Sequence, residues 1–331
     1  ALINAGFPNK IVSLMNGTQA WHLSGYEVVN GATQRPPTVS VDGLAAALDA
    51  ADRVIEQFDI YEIDEEELDN WRAEDDQRSL FILDVRTPEE YEAGHFPGAR
   101  SAPGGQLIQE TDTFLGVWGA RVVLMDGDGV RAAMTASWLL QMGWIDVAIY
   151  AINPDDDNLI EGPYAPRVLG GNGNARGIDA AALRGELKSG AAIVVDLDTS
   201  RAYREGHIPG AWFALRTHLA DALAKLPETA CLVFTSPDGA MASLATLDVA
   251  ASEFSGTVMA LRGGTQAWIA SGFDLETGDT HMASAPDDIR LKAREQSADV
   301  EAAMNAYLTW EINLVNQMAE DSDNRFQVMT N

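Results

Sequence analysis

LFILDVRTPEEYEAGHFPGAR, residues 80–100, runs apolar from Leu80 to Val85 except at Asp84. A strand buried on both faces of a parallel sheet needs such a run. The next residues signal a helix start: Thr87 is an N-cap, Pro88 fits the first helical position, and Glu90 completes a capping box. Gly94 ends that helix, and His-Phe-Pro-Gly-Ala turns the chain. AIVVDLDTSRAYREGHIPGAW, residues 192–212, repeats the plan: a strand over Ile193–Leu197 with Asp196, a helix from Thr199, then GHIPGA. Such self-similarity marks a repeated structural unit.

Outward from the first copy, Tyr61–Ile63 is a β element, and Asp64 caps the helix DEEELDNWRAE, acidic in its first turn as the helix dipole favours. RVVLMD (121–126) is the next strand, GVRAAMTASWLLQMG a helix, and DVAIYA (146–151) the last strand, followed by the loop NPDDDNLIEGPYAP. The Gly/Asn-rich stretch GGNGNARG (170–177) leads into the second copy. There a helix near Leu219–Leu226, a strand at Cys231–Phe234, a helix from Ala240, a strand at Thr257–Leu261 and a helix around Trp268 are expected. Strands alternating with helices give an α/β fold: repeated domains over 61–160 and 172–278, each a mainly parallel central sheet flanked by helices. Residues 32–60 read as a helical linker that packs on a neighbouring domain, and 279–331 as a helical tail docking an apolar stripe within MNAYLTWEINLVNQMA.

A second repeat lies at the front. LMNGTQAWHLSGYEVVNG (14–31) matches LRGGTQAWIASGFDLETG (261–278) without a gap. In the later copy this segment closes a domain, with Gly272 as the left-handed stop. Residues 1–31 are therefore expected to be the C-terminal remnant of another such domain, packed on upstream chain. Its site loop would lie about a dozen residues before Ala1.

The paired DVR/GH-x-PGA signature and the repeated GTQAW resemble the rhodanese-like (thiosulfate sulfurtransferase) family. The resemblance implies a site loop between the fourth strand and the next helix, opening with a cysteine. Backbone N–H groups and a helix N-terminus there would cradle a small sulfur-containing anion such as thiosulfate. The cysteine takes the sulfane sulfur as a persulfide and passes it to a nucleophilic acceptor. No cofactor is implied.

Both loops depart from that pattern. The first reads Asp126-Gly127-Asp128-Gly129-Val130-Arg131, with Asp126 at the cysteine position and Arg131 closing a loop of six residues, the length that resembles the sulfurtransferases. An aspartate cannot accept a sulfane sulfur. Asp128 adds a second carboxylate that Arg131 could neutralise in part. The second reads Thr235-Ser236-Pro237-Asp238-Gly239-Ala240, with Thr235 at the cysteine position and Ala240 in place of arginine. Cys231 is the sole cysteine and reads as a small buried hydrophobe on its strand. His207 is the nearest candidate base for Thr235 or Ser236. Asp84 with Arg86, and Asp196 with Asp198, read as structural ion-pair or capping residues, and His95 and His207 as hydrogen-bonded turn residues. DGDG and NPDDD are fragments of calcium loops without the full pattern, so no metal is expected.

A formal net charge of −28 excludes nucleic acid and anionic membranes, which demand clustered Lys and Arg. No apolar run is long enough for a membrane span. One cysteine among 331 residues excludes an intrachain disulfide and fits a reducing, cytoplasmic setting. Two function classes remain. In one, the parent protein is a sulfurtransferase with its cysteine upstream of Ala1, and these domains support or regulate it. In the other, the chain is a non-enzymatic scaffold or ligand-binding protein.

Overall fold

The computed structural model describes residues 2–34, 36–153, 158–166, 168–170, 175–250, 254–295 and 299–327. They form two compact units, 1–165 with 301–331 and 166–300. The calcium-like residues 154–157 and linker residues 171–174 lie outside the described residues.

In the first unit the chain runs α1 (Gly17–Leu23), α2 (Val41–Phe58), β1 (Tyr61–Glu62), α3 (Glu65–Ala73), β2 (Leu80–Asp84), α4 (Pro88–Ala93), β3 (Arg100–Ser101), α5 (Gly104–Gln109), α6 (Thr111–Phe114), β4 (Arg121–Asp126), α7 (Val130–Gln141) and β5 (Val147–Ala151). The sheet order is β1-β5-β4-β2-β3, and every neighbouring pair is parallel. The central strand β4 shows why an unbroken apolar run was needed. Val122 and Leu124 face a core shared with α2, α5 and α7, while Val123 and Met125 face one shared with α3. Thr87 and Glu90 make the capping box at α4, and Asp64 caps α3 through Glu67 N–H.

The helix expected as a linker is part of this module's core. Ala51, Val54 and Phe58 of α2 are buried with Leu107 and Leu139. Ser40 caps α2 through Gly43 N–H at 3.1 Å.

The second unit repeats the plan with β6 (Gly177–Ile178), α8 (Ala180–Ser189), β7 (Ile193–Asp196), α9 (Ser200–Glu205), β8 (Trp212–Phe213), α10 (Leu219–Leu223), β9 (Cys231–Thr235), α11 (Ala240–Ala250), β10 (Thr257–Leu261) and α12 (Gly264–Ala270). Its all-parallel order, β6-β10-β9-β7-β8, matches the first sheet strand for strand. This module extends past residue 278, where the tail was expected to begin. Met282 pairs with Phe213 of β8, and Ala283 and Ser284 are buried. The tail proper is α13 (Val300–Glu320), which buries Met304 and Leu308; beyond it Gln327 N–H reaches Gln141 O at 2.7 Å in the first unit.

Each GH-x-PGA turn is fixed the same way. Tyr91 stacks on His95 and Tyr203 on His207, both with ring centroids 3.7 Å apart. The tyrosine hydroxyls donate to Ala99 O and Ala211 O, and each histidine Nδ1 meets the carbonyl of its own tyrosine.

The modules differ under the sheet. In the second, Trp268 of α12 fills the core beside Leu183 and Val233, and truncating such a side chain to alanine costs about 3–5 kcal/mol. In the first, Trp71 enters the equivalent layer from α3, beside Phe96 and Met125. Its ring faces the Arg121 guanidinium at 5.0 Å.

Candidate functional site

Asp126 is the last residue of β4 and is fully buried. Its Oδ1 accepts from Gly129 N–H, and its Oδ2 accepts from Arg131 and Ala132 N–H at 2.8 and 3.1 Å. Gly129 sits at φ 80°, which glycine adopts without strain, and α7 starts at the next residue. Three backbone donors and a helix N-terminus thus converge on one carboxylate. Burial pushes its pKa up, the three N–H groups oppose that, and the Asp128 charge adds to the rise. The anion cradle of this module is filled by a group of the chain itself.

Arg131 does not turn inward to neutralise the aspartates, as its loop position suggested. Its guanidinium grips Glu90 through two bonds, at 2.7 and 3.0 Å. That pairing holds the Glu90 carboxyl down at about 2. Asp128 accepts Val130 N–H at 3.1 Å, a local cap. Asp84 and Arg86 form a buried pair whose Arg86 Nη2 also donates to Gly94 O at 2.7 Å, so this arginine fastens β2 to the end of α4.

The second loop corrects the sequence register by one residue. Asp196 lies opposite Thr235 as Asp84 lies opposite Met125, and Leu197 N–H donates to Thr235 O as Val85 N–H donates to Met125 O. Ser236 Oγ accepts Ala242 N–H at 3.2 Å, the counterpart of Asp126 accepting Ala132 N–H. Ser236, and not Thr235, therefore holds the Asp126 position, and Met241, and not Ala240, stands where Arg131 stands. Thr235 is a buried strand residue bonded through its hydroxyl to Thr265 at 2.9 Å. A polar side chain inside the sheet had read as the first loop residue. The shared Asp-Gly at 128–129 and 238–239 carried the right register.

The turn from β10 into α12 clamps this loop. Thr265 N–H donates to Ser236 O at 2.9 Å and Gln266 N–H to Pro237 O at 3.0 Å. A side chain on Gly264 would place its Cβ 1.9 Å from Ser236 O, so the approach requires glycine. Asp238 caps Ala240 N–H at 2.9 Å. Behind Gly239 and Ala240 lies a cleft of about 490 Å³, lined also by Ser243, Leu244 and Arg262.

His207 does not serve Ser236. Its Nδ1 meets Tyr203 O and its Nε2 meets Thr280 Oγ1 at 3.1 Å. Cys231 opens β9 opposite Thr257, at the end of the strand away from the loop, and burial pushes its thiol pKa up. Among the described residues Asp196 pairs with no arginine, because Asp198 stands where Arg86 would be, and burial drives its carboxyl up to about 7. Among the described residues no group of three His, Cys, Asp or Glu is placed to hold a metal ion. No helix among them is long and apolar enough to cross a membrane.

Two five-stranded parallel sheets of matching strand order, each with a loop and a helix N-terminus at the carboxyl end of a central strand, define a tandem α/β protein of two like modules. The family model described as a rhodanese-like domain matches residues 64–151 and 179–271, and the chain belongs to that family. Among solved structures, the thiosulfate sulfurtransferase from Pseudomonas aeruginosa is 40% identical with a TM-score of 0.92, covering 99% of this chain. The chain spans 62% of the length of that protein. A rhodanese-related protein from Thermoplasma volcanium is 21% identical over 30% of this chain and 97% of its own, with a TM-score of 0.26. Curated protein sequences give no match.

Proposed function

We propose that this chain is the non-catalytic part of a thiosulfate-type sulfurtransferase. Its modules support or regulate a persulfide-forming cysteine carried by polypeptide before Ala1. The observation behind this reading is the Asp126 carboxylate lodged among the N–H groups of Gly129, Arg131 and Ala132. A sulfane donor is an anion. It would have to displace a carboxylate bonded to the same three donors, and it would then meet no thiol. In the second module the equivalent group is the Ser236 hydroxyl, which forms no persulfide. The 40% identity to a thiosulfate sulfurtransferase supports the substrate class.

The reaction in the parent protein runs in two balanced steps. A thiolate attacks the outer sulfur of thiosulfate, forming the Cys S–S bond and releasing sulfite. A nucleophile such as cyanide then takes that sulfur as thiocyanate and restores the thiolate. The purified 331-residue chain is expected to give no thiocyanate from thiosulfate and cyanide above the uncatalysed rate. Turnover by this chain would overturn the reading.

A further inference from the structure

The first module has a helix that the second does not repeat. In the first, α2 lies along α7, and its Ala51, Val54 and Phe58, spaced i, i+3 and i+7, are buried with Ala133, Ala136 and Leu139. In the second, among the described residues, no helix lies between β5 and β6 to take the place of α2. With Ser236 standing for Asp126, Ser243 and Leu247 of α11 take the places of Ala133 and Ser137 of α7. Ala133 and Ser137 are buried, whereas Leu247 is 38% exposed. Ser243, Leu244 and Leu247 instead line the open cleft behind the second site loop, with Ala260, Leu261 and Arg262 along its other side. Arg262 pairs with Asp179 at 3.0 Å, but both side chains are mostly exposed, so the pair is weak and exchanges readily.

α13 carries the matching surface. Its apolar stripe runs through Met304, Leu308, Ile312, Val315 and Ala319, three or four residues apart and so on one helix face. Met304 and Leu308 are buried, while Ile312 and Val315 are 65% and 73% exposed. Ile312, Val315 and Ala319 repeat the i, i+3, i+7 spacing with which α2 covers α7. The charged residues of α13 are Glu301, Glu311 and Glu320, all acidic, and Glu311 lies one turn before Val315. We infer that the exposed half of α13 from a second copy of this chain docks in the cleft beside α11, with Ile312 and Val315 against Leu244 and Leu247 and Glu311 facing Arg262. Burial of an apolar helix face in a groove supplies the attraction, and an acidic helix meeting an arginine at the rim fixes its register. The charge of −28 on each copy opposes their approach at long range, and about 0.15 M salt screens that repulsion beyond roughly 8 Å. The contact uses neither site loop's chemistry, so it can fail separately from the proposed function.

Light scattering by the 331-residue chain in about 0.15 M salt tests the inference. The mass is expected to rise with concentration above the 35.6 kDa of one chain. Leu247→Asp and Ile312→Asp each place a carboxylate in the apolar contact and should raise the dissociation constant at least about tenfold. Both positions are exposed in the single chain, so melting of the dilute variants should shift by under about 2 °C, and the lost mass reports association rather than unfolding. Ile145→Asp, at an isoleucine equally exposed elsewhere, should leave the mass curve unchanged. A chain that stays monomeric up to about 1 mM would overturn the inference. So would an association that Leu247→Asp or Ile312→Asp leaves intact, or one that Ile145→Asp weakens as much.

Discussion

The two site loops share one backbone and fill it with different groups. At the first, a carboxylate sits among three N–H donors, and Ile152 N–H just after β5 holds the Asp126 carbonyl at 2.7 Å. At the second, an uncharged hydroxyl takes one donor, and the β10–α12 turn holds the loop from outside through Ser236 and Pro237 carbonyls. The loop conformation does not depend on a sulfur nucleophile. It needs an acceptor for the helix N-terminus, and in both modules the segment after the next strand holds the first loop carbonyl, through Ile152 N–H in one and Thr265 N–H in the other. The same contrast recurs one strand away. Asp84 is paired with Arg86, while Asp196 is buried and forms no ion pair among the described residues.

The comparison breaks most visibly at glycine. Gly264→Ala should destabilise the second module by about 3 kcal/mol or more, because the new Cβ meets a backbone oxygen that cannot move without releasing the loop. Gly127→Ala in the first loop has open space around it and should stay within about 0.5 kcal/mol, and denaturant melts of both variants check the pair. Equal costs would mean that Gly264 approaches the loop no more tightly than Gly127 packs in its own.

Next in size is the pH dependence that Asp196 gives the second module. The folded Asp196 carboxyl titrates near 7, above its unfolded value, so the folded state binds the extra proton between the two. Stability is therefore fullest below about pH 4 for this group and declines as pH rises towards 7, by an amount on the order of a few kcal/mol. Asp196→Asn should flatten that slope, read as melting temperature against pH, while a slope that persists in the variant would place its origin elsewhere.

The smallest effect sharpens the comparison. Asp126→Ala strips three donors of their acceptor and should cost about 1–3 kcal/mol. Added sulfate or thiosulfate should recover part of that loss in the variant and none in the parent chain, measured as a shift in melting midpoint. No recovery would show that the cradle is shaped by its aspartate and closes without it.

Much of this architecture is legible in the sequence. The apolar run at 80–85, the capping box at Thr87 and Glu90, and the internal repeats fixed strand, helix and module, because each rests on local chemistry. The filled cradle was half legible: Asp126 stood out as a non-nucleophile, but its three donors come from a turn that only the fold closes. Three features were hidden for physical reasons. The Arg131–Glu90 pair joins residues 41 positions apart, and nothing in either motif announces it. Thr235 is polar yet lies inside the sheet, since Thr265 satisfies its hydroxyl, so the loop was counted one residue early. Trp71 replaces the closing helix's tryptophan from another helix, a compensation of volume that no alignment of motifs displays.

Cys231 lies at the end of β9 remote from the site loop. The sole thiol of the chain lies at the quiet end of its strand, and its raised pKa slows reaction with alkylating probes. The protein is thus a low-background host for cysteine scanning. A single thiol introduced at 126 or 236 would report its own accessibility and ionisation by mass spectrometry, almost free of competing signal.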